Sequence, residues 1–364
     1  MKTLLKFIIL VVLISACAEK KQPLVAEAYK IRDSVNVALT EFSIANTTIR
    51  ALEVLNDSAV WFCGGNSRWG YTLNNGQSWK IDSLKHEGKT LELRSIKVLE
   101  NGDVFLVSVS EPAVVYKSKD KGETWKLVYH DTSSVAFFDA VNFWDNQNGM
   151  LLGDALDGCF HLAITKDGGE TWQKVSCENI PEALEGEGPF AASNTNIALR
   201  GKKAWFATGG KLKSRLFYSD NYAKTWKVRN TPIVSGLRMS GIFSLDFYND
   251  SLGIVAGGNW ENVEENTNNF AFTKDGGLSW QMLNGGKTDG YISCVQFIPE
   301  TEGKEIFALK GRARGGESSM SFSNDGGETW QVFPNSNYLA VKFANKNVAW
   351  ISGKNKIARL NLCE

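Results

Sequence analysis

One eight-residue pattern recurs six times along this 364-residue chain and limits the fold more than any other feature. Each copy begins with Ser or Thr, has Asp or Asn at its third position, and ends with Ser-Trp or Thr-Trp. The copies end at Trp79, Trp125, Trp172, Trp226, Trp280 and Trp330, at intervals of 46, 47, 54, 54 and 50 residues. Units of this length fit four short antiparallel strands, which is the size of one β-propeller blade.

The pattern itself predicts a hairpin turn. The Asp carboxylate can accept hydrogen bonds from backbone amides two residues on, and the Gly present in five copies tolerates a left-handed backbone. The closing Trp can bury its ring against a neighbouring strand. We therefore expect a structural role for Asp120, Asp167, Asp275 and Asp325.

Alternating apolar runs between the turns, such as residues 93–99 and 242–247, have the period of strands rather than helices. Residues 338–360 supply a last unit that stops one strand short, and residues 35–44 can donate the missing strand and close the ring. The sequence thus predicts an all-β protein, a seven-bladed β-propeller over residues 35–364, with a six-bladed ring as the alternative.

The first residues have the layout of an export signal. Lys2 and Lys6 precede an apolar run at residues 7–15, which is shorter than the roughly 20 residues of a membrane-spanning helix. The run ends in Leu13-Ile14-Ser15-Ala16-Cys17, which resembles a bacterial lipobox. We predict a signal peptide at 1–16, a lipidated Cys17 and a tether at 17–34, with an ordinary signal peptide as the alternative. Ala18 after the cysteine resembles outer-membrane sorting, so we expect an anchor in the bacterial cell envelope, at the outer membrane.

Charge and cysteine spacing exclude several classes of protein. The 40 Lys+Arg balance 40 Asp+Glu, which argues against a nucleic-acid binder. No cysteine pair has C-x-x-C spacing and the three His lie in different repeats, so no metal site is expected. Export would allow disulfides, and Cys159 and Cys177 are the closest pair in sequence.

A short glycine motif at residues 186–191 has the G-x-G-x-x-A spacing of a dinucleotide-binding loop. Pro189 and the lack of a following helix remove the helix N-terminus that would hold a pyrophosphate. We therefore expect neither a nucleotide nor any other cofactor.

The repeated turns resemble the Asp boxes (BNR repeats) of bacterial sialidases and other propellers, where they lie away from the catalytic face. The combination of Gly-Gly turns with T-x-D-G-G-x-T-W over residues 45–360 resembles the photosystem II stability/assembly factor superfamily. Segments 186–193, 240–245 and 257–260 resemble its bacterial, non-photosynthetic branch, whose members carry labels such as oxidoreductase or glycosyl hydrolase. The resemblance implies a propeller and a general assembly role.

Catalytic residues are not obvious. A sialidase would begin with Arg-Ile-Pro, whereas this chain has Ile49-Arg50-Ala51. Another glycosidase would need two carboxylates roughly 5–10 Å apart in a cleft. Acids on turns that could share one face are Asp139, Asp154, Asp157, Glu187 and Glu261. If the protein is a glycosidase, Asp154 and Glu187 are our candidates for the catalytic pair.

Two long insertions, at 185–193 and 260–269, lie where a propeller would present loops for binding. Arginines and aromatic residues, which dominate interface hot spots, are concentrated nearby. Our candidates for binding are Arg215, Trp260, Glu187, Arg238 and Tyr291, and Arg94, Arg200 and Trp69 are further members of this set. The sequence favours a non-catalytic scaffold or assembly factor for an envelope protein or complex. The alternatives are a glycoside hydrolase or lyase, or a carbohydrate-binding protein.

Overall fold

A computed structural model describes residues 29–283, 290–311 and 318–364. The folded unit is Ile31–Glu364, and it contains all the strands of the described residues. The expected signal peptide, Cys17 and most of the tether lie outside the described residues. The folded unit begins at Ile31, a little before the expected residue 35, because Arg32 is buried and donates from Nε to Glu305 Oε2 at 2.9 Å.

The described residues form thirty strands and one short 3-10 helix, Cys177–Asn179. The first ten strands are β1 (Asn36–Asn56), β2 (Ala59–Gly64), β3 (Arg68–Thr72), β4 (Lys80–Ser83), β5 (Lys85–His86), β6 (Lys89–Thr90), β7 (Leu93–Val98), β8 (Val104–Ser108), β9 (Ala113–Ser118) and β10 (Lys126–Asp131). The next ten are β11 (Phe138–Phe143), β12 (Gly149–Leu156), β13 (Cys159–Thr165), β14 (Gln173–Lys174), β15 (Glu187–Gly188), β16 (Ile197–Arg200), β17 (Lys203–Ala207), β18 (Gly209–Gly210), β19 (Arg215–Ser219) and β20 (Lys227–Asn230). The last ten are β21 (Ser240–Phe247), β22 (Gly253–Asn259), β23 (Phe270–Thr273), β24 (Gln281–Met282), β25 (Ile292–Phe297), β26 (Ile306–Lys310), β27 (Ser319–Ser323), β28 (Gln331–Pro334), β29 (Tyr338–Phe343) and β30 (Val348–Cys363).

These strands pair into antiparallel meanders, as the alternating sequence runs predict. Four sheets have four strands each, in the orders β7-β8-β9-β10, β11-β12-β13-β14, β16-β17-β19-β20 and β25-β26-β27-β28. Two sheets have six strands, β29-β30-β1-β2-β3-β4 and β15-β18-β21-β22-β23-β24. A small ribbon, β5-β6, stands apart from them. The all-β propeller is confirmed.

The number of sheets differs from the expected seven. The first half of β1 pairs with the second half of β30, from Asn36↔Cys363 to Ser43↔Lys356, and the second half of β1 pairs with β2. The N-terminal strand therefore closes the ring as predicted. Because β1 and β30 are continuous, however, the C-terminal unit and the first unit form one hydrogen-bonded sheet. The described residues contain six sheets of four or more strands, the alternative number, and the prediction of seven separate ones was wrong.

The repeated turns close through side-chain hydrogen bonds. In one copy, Ser118 Oγ donates to Asp120 Oδ1 at 2.8 Å, and the Thr124 amide donates to the same oxygen at 2.9 Å. The Asp side chain thus reaches four residues on, rather than the two that the sequence suggested. Hydrogen bonds from Thr124 and Ser118 lower the pKa of Asp120 to about 2. The same bonding pattern occurs at Asp167, Asp275 and Asp325.

Aromatic side chains fill the layers between neighbouring sheets. Trp205 stacks on Phe247 with ring centroids 4.1 Å apart, and Phe105 packs against Phe143 at 4.6 Å. Full burial of each such side chain stabilises the fold by about 1.5–3 kcal/mol. Trp69 belongs to this core, being 1% exposed and stacked on Trp61. It is therefore not available as the aromatic contact surface that the sequence analysis considered.

One disulfide ties a loop to the sheet beside it. Cys159 and Cys177, the pair closest in sequence, are bonded with an S–S distance of 2.08 Å. The free cysteines Cys63 and Cys294 are buried, and Cys363 is exposed. Among the described residues, no helix is long and apolar enough to cross a membrane.

Candidate binding site at one mouth of the central channel

The inner strands surround a central channel. They contact one another in the closed order β1, β7, β11, β16, β21, β25, β29 and back to β1, the first and last of these belonging to the same sheet. Each inner strand runs from one mouth of the channel to the other. Residues at the start of these strands therefore gather at one mouth, and residues at their ends gather at the other.

Six inner strands have a register break near their first residues or, in β1, near the start of the half that pairs with β2. The breaks fall between Ile49 and Ala51, Leu93 and Ser95, Phe138 and Ala140, Ile242 and Ser244, Ile292 and Cys294, and Tyr338 and Ala340. A β-bulge adds a residue that leaves the regular alternation and redirects its side chain. We call the six residues at these breaks the bulge ring: Arg50, Arg94, Asp139, Phe243, Ser293 and Leu339.

A cavity of about 580 Å³ opens at this mouth, which is within the usual size of small-ligand sites. Three members of the bulge ring, Arg50, Arg94 and Phe243, line it. Its other charged and aromatic lining residues are Phe137, Asp154, Glu187, Phe190, Arg238, Trp260 and Tyr291. The structure thus brings together Asp154, Glu187, Arg238, Trp260 and Tyr291 from the sequence-based candidates.

Three guanidinium groups give the cavity its positive charge. Arg50 is largely buried and donates from Nη1 to the Ala192 carbonyl at 3.4 Å. Burial, and then the nearby charge of Arg94, lower the pKa of Arg50. Arg94 donates from Nε to Glu92 Oε1 at 3.2 Å, while Arg50 and Arg238 have no ion pair within the described residues.

An aromatic wall faces these arginines. Phe190 stacks on Phe243 with centroids 4.2 Å apart, and Phe243 meets Tyr291 edge-on at 4.7 Å. Trp260 packs against the same cluster. Burial raises the pKa of Tyr291, against the influence of Arg50, so the phenol stays protonated and can donate or accept a hydrogen bond.

Glu187 and Arg215 form a clamp that holds the loop at the rim of the cavity. Arg215 donates from Nε to Glu187 Oε1 at 2.8 Å, and its Nη2 donates to Glu187 Oε2. Thr208 Oγ1 and the Leu184 amide also donate to the same carboxylate, at 2.5 and 2.8 Å. Arg215 does not line the cavity. The carboxylate of Glu187 is occupied by these four donors, so the arrangement suits a structural ion pair better than a catalytic acid.

Two carboxyl groups lie close together beside Arg94. Asp154 lines the cavity, and burial raises its pKa to about 6. Asp139 is fully buried, and neither of its carboxyl oxygens has a hydrogen-bond partner among the described residues. Burial, and then the charge of Asp154, raise the pKa of Asp139 well above its usual value, with Arg94 opposing the shift. Asp139 is therefore protonated more readily than an exposed aspartate.

A loop segment crosses the channel beneath the cavity. Ser193 Oγ donates to the Ser293 carbonyl at 2.7 Å, and Ser95 Oγ donates to Asn194 Oδ1 at 2.5 Å. Asn194 Nδ2 also donates to the Ile96 carbonyl at 3.2 Å. These bonds fix the continuation of the Glu187 loop against inner strands from two sheets, so the loop forms a floor between the two mouths.

The remaining sequence-based candidates lie elsewhere. Asp157 and Glu261 are exposed, and Arg200 lines a smaller cavity of about 220 Å³ at the opposite mouth. The His residues are not isolated as the sequence suggested: His86 Nδ1 lies 2.8 Å from Tyr116 Oη, and His161 Nε2 lies 2.9 Å from Tyr129 Oη. Among the described residues, no three His, Cys, Asp or Glu side chains are placed to hold a metal ion.

Arg50 is the main residue of the site that sequence reasoning missed, and a signal for it exists in the repeats. Each bulge follows the pattern apolar residue, any residue, small residue, apolar residue. The copies are Ile49-Arg-Ala-Leu52, Leu93-Arg-Ser-Ile96, Phe138-Asp-Ala-Val141, Ile242-Phe-Ser-Leu245, Ile292-Ser-Cys-Val295 and Tyr338-Leu-Ala-Val341. The second position of this pattern, aligned across the repeats, identifies all six residues of the bulge ring.

No family model matches the chain, and no curated protein matches it in sequence. Solved structures, however, match nearly its whole length. YCF48 bound to D1 peptide is similar with a TM-score of 0.64 and 16% identity, covering 90% of this chain and 97% of that one. A catalytically inactive virginiamycin B lyase from Staphylococcus aureus, solved with quinupristin, has a TM-score of 0.64 and 12% identity, covering 90% of this chain and 100% of that one. The WD40 repeats of RRP9 have a TM-score of 0.60 and 10% identity, covering 91% and 100%. The shared feature is the β-propeller fold. At such low identity it does not extend to activity.

Proposed function

We propose that this protein is an exported, lipid-anchored propeller that acts as a scaffold or assembly factor by binding a carboxylate-bearing segment of an envelope protein. The observation that carries the proposal is the cavity of the bulge mouth, where Arg50, Arg94 and Arg238 face an aromatic wall. Arginine guanidinium groups hold carboxylates through charge-assisted hydrogen bonds, often two at once. Anchoring at Cys17 would keep the cavity close to a membrane surface.

The chemistry of the walls defines the segment that fits. A carboxylate would lie against Arg50 and Arg94, while Phe190, Phe243 and Trp260 offer apolar surface to a side chain next to it. Arginine and aromatic residues in a concave, partly dry site are the usual composition of binding hot spots. The similar propeller YCF48 has been solved with a bound peptide, which makes peptide binding a reasonable use of this fold.

Site-specific crosslinking in the native envelope tests the proposal. A photoreactive amino acid replaces Met239, which lines the cavity, or Leu199, which lines the opposite mouth. We expect one protein adduct from position 239, lost when Arg50→Ala or Arg94→Ala is added, and none from position 199. A synthetic peptide of the crosslinked segment should lose about 10- to 100-fold in affinity when its carboxylates are amidated.

Two results would contradict the proposal. One is an equal yield of adducts from both mouths, and the other is an adduct that persists without Arg50 and Arg94. Trp260→Ala serves as an independent check of the aromatic wall. Arg215→Ala is unsuitable for this purpose, because its buried pairing with Glu187 makes any loss of binding ambiguous.

A second candidate function is recognition or cleavage of an acidic sugar, and Asp154 favours it. Its pKa of about 6 beside Trp260 would suit a general acid next to a stacked sugar ring. Glu187, the other carboxylate of the expected pair, is already held by Arg215. Release of a chromophore from acidic-sugar aryl glycosides, abolished by Asp154→Asn, would support this alternative. No release of the chromophore, together with a peptide adduct, would exclude a sugar-directed function.

A further inference from the structure

Asp139 is the most unusual polar group of the described chain. It lies in the bulge ring, is 0% exposed, and has no hydrogen bond to either carboxyl oxygen within the described residues. Burying an ionised carboxylate without donors costs several kcal/mol, so such a group remains protonated unless a cation compensates. Arg94 is the nearby cation, but it is already paired with Glu92.

Asp154 connects this buried group to the cavity. It follows Gly153 on β12, and its amide donates to the Phe137 carbonyl at 2.9 Å. Its Oδ1 lies so close to Gly188 that an added Cβ there would come within 2.8 Å of it. The Asp154 carboxyl group therefore lies against the rim loop, its charge influences Asp139, and it forms no hydrogen bond within the described residues.

The other charged groups around Asp154 come from several neighbouring elements. Arg94 comes from β7, Asp139 from β11, and Arg50 from β1. On the rim, Glu187 is neutralised by Arg215, and Arg238 comes from the loop before β21. His161 on β13 is turned toward Asp131 at 3.0 Å.

We propose that Asp154, beside the buried carboxyl group of Asp139, makes anion binding in this cavity proton-linked, so that the site takes up a proton as an anion binds and holds anions more tightly in mildly acidic surroundings. The inference rests on the proposed function, since it needs an anion beside the arginines. An anion next to an ionised Asp154 meets a like charge in a space of low dielectric. Protonation removes that charge, and linkage requires that the anion in turn favours the protonated form.

The opposite mouth supplies a matched control. Burial also raises the pKa of Asp246 to about 6, but its two oxygens accept the Phe247 and Phe297 amides at 2.9 and 2.8 Å. Asp246 lines the smaller cavity, away from Arg50 and Arg94. Its titration should leave anion binding at the bulge mouth unchanged.

The test uses the full-length protein in detergent and benzenesulfonate as the probe, because a sulfonate stays ionised throughout the range. Calorimetric titrations at about pH 5 and about pH 7.5 should show about tenfold tighter binding at the lower pH, which corresponds to a one-unit shift of the linked group. Repeating the titration near pH 6.5 in two buffers of different ionisation enthalpy should reveal uptake of a fraction of one proton. Asp154→Asn should bind at both pH values as tightly as the wild type does at pH 5, and Asp246→Asn should behave like the wild type.

The outcomes separate the inference from the proposed function. Equal affinity at both pH values, with binding still lost in Arg50→Ala, would overturn proton linkage and leave the anion site intact. No binding at either pH would overturn both. Unchanged pH dependence in Asp154→Asn would also refute the inference, and Asp154→Ser provides a second neutral variant should the first one fold poorly.

Discussion

At one mouth of the channel, Glu53 accepts hydrogen bonds from Lys97 and Lys342, both at 2.6 Å, and Asp246 accepts two backbone amides. Burial alone would raise the pKa of Glu53, but the two lysines hold it below its usual value. At the other mouth, Arg50 and Arg238 have no ion pair within the described residues, and Asp139 has no hydrogen-bond partner there.

The two mouths are formed by opposite ends of the same strands. The difference in charge pairing therefore comes from the side chains at each end and not from which strands form the mouth. At the paired mouth, side chains tie one inner strand to the next: Glu53 of β1 bonds to Lys97 of β7, and Gln296 of β25 accepts the Phe343 amide of β29. Those charges stabilise the ring. At the bulge mouth, Arg50 and Arg238 form no ion pair within the described residues, and the stability of that region must come from other contacts.

The largest expected effect comes from breaking the clamp at the bulge mouth. Arg215→Ala leaves Glu187, whose side chain is 2% exposed, as an unpaired buried charge. We expect the free energy of unfolding to fall by about 3–5 kcal/mol in chemical denaturation at neutral pH. The control is Arg200→Ala at the opposite mouth, an exposed arginine 3.9 Å from Asp250, for which we expect a change below about 1 kcal/mol. Similar losses in the two variants would show that the clamp is not what holds the rim.

The disulfide should have the next largest effect. It closes a loop with a sequence separation of 18 residues and connects β13 to the segment leading to the rim. Replacing both cysteines, Cys159→Ser with Cys177→Ser, should lower the free energy of unfolding by about 3 kcal/mol. Cys363→Ser, which removes an exposed free thiol, should leave it unchanged. Equal stability of all three proteins under oxidising conditions would contradict this.

The buried acids of the two mouths should differ in how their neutral replacements affect stability. Because the folded pKa of Asp154 is about 6, above the value of about 3.9 in an unfolded chain, wild-type stability rises as the pH falls from 6 to 4. Asp154→Asn should therefore gain about 2 kcal/mol at pH 7.5, and the gain should vanish near pH 4. Asp246→Asn should gain less, since one of its two amides loses its acceptor. Denaturation curves across this pH range would measure both gains, and a larger gain for Asp246→Asn would reverse the comparison.

The sequence predicts the fold well because the Trp-containing turns repeat, and each copy carries its own local chemistry. Ser118, Asp120 and Thr124 lie within seven positions of one another, so their hydrogen bonds can be inferred from spacing. The number of separate sheets could not be inferred in this way. The side-chain pattern does not reveal whether β1 and β30 each continue as one strand or divide into two.

The site was only partly predictable for a related reason. Trp260 and Arg238, which both line the cavity, were candidates because Trp260 lies in a long insertion and Arg238 lies near a strand entry or turn. Arg50 was passed over because it lies within a regular strand pattern, and only the bulge turns it toward the cavity. Arg215 and Glu187 were both binding candidates, but their pairing requires three-dimensional proximity across residues 187–215, which composition cannot supply.

We expect the smallest effect from Asp167, which lies in one of the repeated turns. The Gly168 amide donates to the Gln147 carbonyl in the turn after β11, which places this Asp-containing turn on the side of the opposite mouth. Burial opposes the shift, but hydrogen bonds from Thr171 and Thr165 lower the pKa of Asp167 to about 2. Its contribution to stability is therefore present above about pH 4 and disappears as the pH falls through 2.

Asp167 is solvent-exposed, so its hydrogen bonds are worth little. Asp167→Ala should lower the free energy of unfolding by less than about 1 kcal/mol at neutral pH. Anion binding at the bulge mouth should be unaffected, because the turn contacts neither Arg50 nor Arg94. Denaturation and the benzenesulfonate titration on the same preparation would test both expectations. A loss of anion binding without a loss of stability would mean that the two mouths are coupled through the sheet. It would contradict the view that one mouth stabilises the ring while the other binds anions.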